Sequence, residues 1–226
     1  MKKTWVLFLW LLCFLLPINI FAICAPWVEE CNDIWDSRYP PTDDDIKFLL
    51  QMKYIKATDD ELGKYWLEWI KSYFWAYKNW ITSKETIKDS DFEWELTRIA
   101  MAKMLSNYAI YVLLKKPANI IVPNFSDVSN DLDDAYDNWV SLAYQLWIMW
   151  IWIDEFRPFD SVTRAEFATA LSRLLYWTVD GNPYYITHLA KLKDEWIINN
   201  DDFKILETRW YVMLMLMRAT KVVLDS

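Results

Sequence analysis

Residues 156–176 read Phe156-Arg157-Pro158-Phe159-Asp160-Ser161-Val162-Thr163-Arg164-Ala165-Glu166-Phe167-Ala168-Thr169-Ala170-Leu171-Ser172-Arg173-Leu174-Leu175-Tyr176. Thr163 is a preferred helix N-cap, and Glu166 falls three residues later, which is the spacing of a capping box. Phe167 and Leu171 stand three and seven positions past Arg164, so they share one helix face. The segment therefore predicts a polar loop that turns into an amphipathic helix with an apolar stripe.

The same pattern occurs three times. A Thr-Arg pair stands at Thr97-Arg98, Thr163-Arg164 and Thr208-Arg209. Three positions past each Arg is an apolar residue (Met101, Phe167, Val212), and seven past it is a leucine (Leu105, Leu171, Leu216). Before each loop an amphipathic helix ends at Trp80-Ile81, Trp147-Ile148 or Trp196-Ile197. Matching offsets in three copies mark an internal repeat. The expected organisation is residues 61–118 for the first copy, 119–178 for the second and 179–226 for a degenerate third. Residues 23–60 read as a linker with one short helix. Thr42 caps that helix, Asp43 to Asp45 fill its first turn, and Ile46, Leu49, Leu50 and Tyr54 form its apolar face.

Glycine usage is anomalous. The 226 residues hold 2 Gly and 16 Trp, where average usage would give about sixteen glycines. Trp80, Trp147, Trp196 and Trp177 all fall just past a helical pattern, where the backbone turns left-handed and glycine is preferred. The run Trp147-Ile148-Met149-Trp150-Ile151-Trp152 would be an ordinary helix exit and turn if written with glycine. Some bacterial lineages read UGA as glycine and another variant code reads it as tryptophan, so the text has two readings: a recoded glycine-bearing chain or a truly Trp-rich one. Trp66, Trp69 and Trp75 lie inside a helical pattern, where position does not favour glycine.

The middle copy, with its Phe125-Ser126-Asp127-Val128 opening and its Val162-Thr163-Arg164-Ala165-Glu166-Phe167 helix start, resembles the bacterial S-layer homology (SLH) motif. The resemblance is specific over 125–176 and weaker over about 64–112 and 182–221. The outer copies keep Thr-Arg but carry Ile99-Ala100 and Trp210-Tyr211 in place of Ala-Glu. The resemblance implies an all-α fold of three helix–loop–helix repeats in a pseudo-threefold bundle. It also implies that the chain is secreted to the cell surface. There it would bind a secondary cell-wall polysaccharide, often pyruvylated in this family, in grooves between repeats. Other envelope or S-layer proteins are the alternative partners.

The residues themselves suggest where an acidic glycan would be held. A positive side chain at the first helical position opposes the helix dipole, yet the chain makes that choice at Arg98, Arg164 and Arg209. Free helix N–H groups beside a guanidinium would form an anion site able to fork onto a carboxylate. The competing reading is an ion pair between repeats. Thr163 and Glu166 serve either helix initiation or the ligand, and Asp127 joins the candidate set through the Phe-x-Asp-Val opening. Acidic loops at Asp131, Asp133, Asp134, Asp201 and Asp202 lack the spacing of a calcium loop.

The rest bounds the function class. A net charge of −8 and a pI near 4.8 argue against nucleic-acid binding. His188 is the only histidine, so the sequence supports neither a zinc site nor a Ser-His-Asp triad, and no enzyme, metal or cofactor is expected. Lys2-Lys3, the apolar run from Trp5 to Leu16 and the exit to Ala22 read as a signal peptide over residues 1–22, with an uncleaved anchor as the alternative. No membrane contact is expected after cleavage. Cys24 and Cys31 could pair in an oxidising compartment.

Overall fold

The computed structural model describes residues 37–118, 125–148 and 154–225. The expected signal peptide, the Cys24–Cys31 pairing, Trp150 and Trp152 lie outside the described residues. The described chain is mostly helical and holds no sheet, only three isolated bridges between loops.

The helices in chain order are α1 (Asp43–Gln51), α2 (Asp59–Lys64), α3 (Leu67–Lys78), α4 (Arg98–Asn107), α5 (Asn130–Ala135), α6 (Trp139–Gln145), α7 (Arg164–Tyr176), α8 (Ile186–Asp194) and α9 (Arg209–Asp225). Thr42 caps α1 in a full capping box with Asp45. Ile46 is buried and Leu49 and Leu50 pack on the core, whereas Tyr54 lies past the helix end and is exposed. A second helix, α2, begins within the stretch expected to be linker. Thr58 and Glu61 start it with the same reciprocal cap.

The three helices that follow a Thr-Arg pair are α4, α7 and α9. Met101, Leu105, Phe167, Leu171, Val212 and Leu216 are all fully buried, so the repeated stripe is the core. Met213, Met215 and Met217 are buried with it. Each of these helices packs chiefly against a helix of the following copy: α4 with α6, α7 with α8, and α9 with α3. The last pair closes the circle, and Arg218 on α9 fixes it with a forked pair of hydrogen bonds to Glu68 at 2.8 and 3.0 Å.

The loops before the Thr-Arg pairs meet at the centre. Val162 N–H donates to the Leu96 carbonyl (2.8 Å), Leu96 N–H to Glu207 (2.7 Å), and Glu207 N–H to Val162 (2.8 Å). These three bonds form a closed ring joining three distant segments.

The helix exits are left-handed where expected. Trp80, Trp147, Trp177 and Trp196 have φ of 60, 59, 55 and 58°. At three of them the bonding is the same. Ile81, Ile148 and Ile197 donate back to Ala76, Ala143 and Leu192 at 2.9–3.0 Å, and the Trp N–H reaches Tyr77, Tyr144 or Lys193. That is a Schellman cap. A residue with a Cβ costs roughly 1–2 kcal/mol in this region.

Two substitutions separate the core from the cap. Phe167→Ala should cost about 3–5 kcal/mol through the cavity it leaves, and Thr163→Ala about 1 kcal/mol through the lost cap. Urea unfolding followed by far-UV circular dichroism would rank them. Equal losses would contradict the assignment of the Phe167 stripe as core.

Candidate functional site

The helix starts that were expected to offer free N–H groups do not. Arg98 N–H donates to the Asp160 carbonyl (3.0 Å), Arg164 N–H to Ile205 (2.8 Å) and Arg209 N–H to Trp94 (3.2 Å). The next N–H in each helix is also taken, by Pro158, Phe203 and Phe92. Each helix start is thus capped by the loop of the following copy, and the expectation of an open amide cradle is corrected. Loop carbonyls supply the negative end that the dipole calls for, leaving no amide at these two positions for an outside anion.

The three guanidiniums sit in equivalent places but differ in how fully they are occupied. Arg164 is buried. Its Nε and Nη2 fork onto Glu207 at 2.6 and 3.2 Å, its Nη1 donates to the Asn200 carbonyl at 2.8 Å, and its plane lies over the Tyr211 ring. Burial pushes the Glu207 carboxyl up against the pull of Arg164. Arg98 is also buried. Its Nε donates to the Phe156 carbonyl (2.6 Å) and its Nη1 to Glu166 Oε1 (2.8 Å). Arg209 is part-buried, with Nη1 3.5 Å from Asp91. Its Nε is buried without a hydrogen-bond partner.

The other predicted residues serve these junctions. Glu166 closes the capping box with Thr163, accepting from its N–H and its hydroxyl at 2.9 Å each. Its second oxygen holds Arg98, and exposed Arg157 approaches it at 3.6 Å. Asp127 accepts from the N–H groups of Phe156 (2.8 Å) and Arg157 (2.6 Å), so it shapes the loop that receives Arg98. Asp133 is buried and ties down the start of α6 through Val140 and Ser141. Among the described residues no group of His, Cys, Asp and Glu is placed to hold a metal ion. Nor is any helix there long and apolar enough to cross a membrane.

A cleft of about 620 Å³ opens beside the Arg209 junction. Lys64 and Tyr65 line one side, Lys88, Asp91 and Phe92 the other. Lys64 pairs with Glu93 across it at 2.8 Å. Asp91 belongs to both the cleft and the Arg209 ion pair.

His188 is a packing residue on α8. It is fully buried, with Nδ1 2.5 Å from Ser172 Oγ and Nε2 2.9 Å from Asp180. The Asp180 carboxylate can only accept, so Nε2 carries the proton and Nδ1 accepts from Ser172. Serine, histidine and aspartate thus stand in the order of a nucleophilic triad, which the sequence gave no reason to expect. Ser172 is fully buried within α7, so a substrate carbonyl has no approach to its oxygen. The array ties α7 to α8.

No known protein family matches the chain, and no curated protein does either.

Removing one partner of the buried pair should be severe. Glu207→Ala leaves the Arg164 charge buried and unpaired, at a cost of about 3–5 kcal/mol. The double variant Arg164→Met with Glu207→Leu should lose less than Glu207→Ala alone. Chemical denaturation of the set would expose any additivity, which would speak against the pair.

The His188 array predicts acid sensitivity. Burial holds the His188 imidazole below its ordinary 6.5. Burial would raise the Asp180 carboxyl, but hydrogen bonds from Arg173 and His188 outweigh it and keep it below 3.8. The unfolded chain therefore binds protons at a higher pH than the folded one at both groups. The His188 contribution is whole above pH 6.5 and fades as pH falls below it. The Asp180 contribution is whole above pH 3.8 and fades below that. Melting temperature should fall between pH 7.5 and 5.5, and His188→Gln should flatten that dependence.

Proposed function

We propose that this is a secreted protein of S-layer homology type that holds to the cell envelope by binding an acidic secondary cell-wall polysaccharide. Its three repeats form a pseudo-threefold unit. Support comes from the cyclic hydrogen bonding of the three Thr-Arg segments and from the packing of α4, α7 and α9, each of which crosses to the following copy. Such a unit places three like junctions around one axis.

The junctions are not equal as binding sites. Arg164 and Arg98 spend their donors on Glu207, Glu166 and loop carbonyls, so their part is to position the loops. Arg209 is the better ligand contact. The observation that carries this assignment is its part-exposed side chain, whose ion partner Asp91 stands 3.5 Å away and also lines a cleft walled by Lys64, Lys88 and Tyr65. Guanidinium and ammonium groups suit a sugar carboxylate, whether from pyruvate or from an acidic sugar, and an aromatic face suits the ring. At the middle junction, exposed Arg157 next to Glu166 is the accessible cation. The enclosed Arg98 and Arg164 also favour a second reading, an envelope protein whose junctions are structural and whose partners are other proteins.

Co-sedimentation with isolated bacterial wall separates the two. Glycan binding predicts pelleting that is lost when the wall polysaccharide is stripped. Arg209→Gln with Lys88→Ala should weaken it about tenfold, the worth of one charge-assisted hydrogen bond. Pelleting that survives both treatments would favour the protein-partner reading.

A further inference from the structure

We infer that the native protein carries glycine at positions 80, 147, 177 and 196, and that tryptophan is genuine at position 75. Backbone conformation carries this assignment, independently of any envelope role. All four positions sit at φ between 55 and 60°, each immediately past or at the end of a helix. Three share the same Schellman bonding through the following isoleucine. Glycine is the residue this geometry favours.

The indoles give little in return, their one cation–π contact among the described residues being Lys115 Nζ 5.5 Å from the Trp177 ring. Trp80, Trp147, Trp177 and Trp196 are 66, 52, 70 and 81% exposed. A large aromatic side chain is kept for the area it buries, and these bury little. Trp75 is the opposite case. It lies inside α3, is 1% exposed, and its Nε1 donates to the Arg38 carbonyl at 2.8 Å. Glycine there would leave a large hole and remove that hydrogen bond.

The two written glycines serve other ends, Gly181 being required by close approach, since an added Cβ would run into the Ile186 side chain. Neither has positive φ. Gly63 lies inside α2, where an added Cβ would meet nothing within 4 Å. Glycine is thus absent from every described left-handed position, and tryptophan fills four of the ten. A codon read as glycine by the cell and written as tryptophan produces this sorting: UGA at the four helix exits and UGG at position 75.

Mass spectrometry of the protein isolated from its own cells tests the assignment. Trypsin releases Asp194–Lys204, with Trp196 its sole doubtful position, and Ser72–Lys78, with Trp75 alone. The expected result is a first peptide lighter by an indolylmethyl group exchanged for hydrogen, and a second at the full tryptophan mass. A first peptide at full tryptophan mass overturns the inference. So does a second peptide carrying glycine, because conformation would then not sort the positions. Two recombinant chains give a physical readout. The chain with Trp80→Gly, Trp147→Gly, Trp177→Gly and Trp196→Gly should melt higher by roughly 2–4 °C per site. A melting point equal to or below that of the tryptophan chain would count against it.

Discussion

Three main-chain hydrogen bonds among Leu96, Val162 and Glu207 hold the centre of this protein. Each closes a loop between segments more than forty residues apart, and none can be lost without opening the ring. The residues just after the ring start the helices α4, α7 and α9. Their first N–H groups are satisfied by the neighbouring loop, and their Arg side chains are anchored there too. Backbone caps, ion pairs and the apolar stripe all take their register from the ring.

The ring also explains the arginines. At the first helical turn a cation is poorly placed against the dipole. It becomes acceptable when the next copy presents a carbonyl and a carboxylate, as Phe156 and Glu166 do for Arg98, and Asn200 and Glu207 do for Arg164. Asp91 is a looser partner for Arg209. One structural motif, repeated with unequal neighbours, thereby yields two closed junctions and one with a spare donor.

Local features were legible in the sequence because they depend on spacing. The +3 and +7 stripe, the Thr163–Glu166 box and the left-handed exits at Trp80, Trp147, Trp177 and Trp196 are all set within one or two helical turns. What was illegible is non-local. Nothing near Arg164 shows that Glu207 faces it, although a charge at 207, where the other copies have Leu96 and Val162, was a usable signal. The amides of Arg98, Arg164 and Arg209 looked free because their acceptors come from another copy. A single histidine looked isolated because Ser172 and Asp180 are brought to it only when α8 folds back on α7.

The pairing of α9 with α3, clasped by Arg218 and Glu68, joins the end of the repeat array to its beginning. A chain emerging from the ribosome cannot complete this circuit until α9 is free. The first two copies must wait with one face of α3 uncovered and the Leu96 amide without its acceptor. The architecture therefore ties closure of the ring and of the helix circuit to the arrival of one segment, α9.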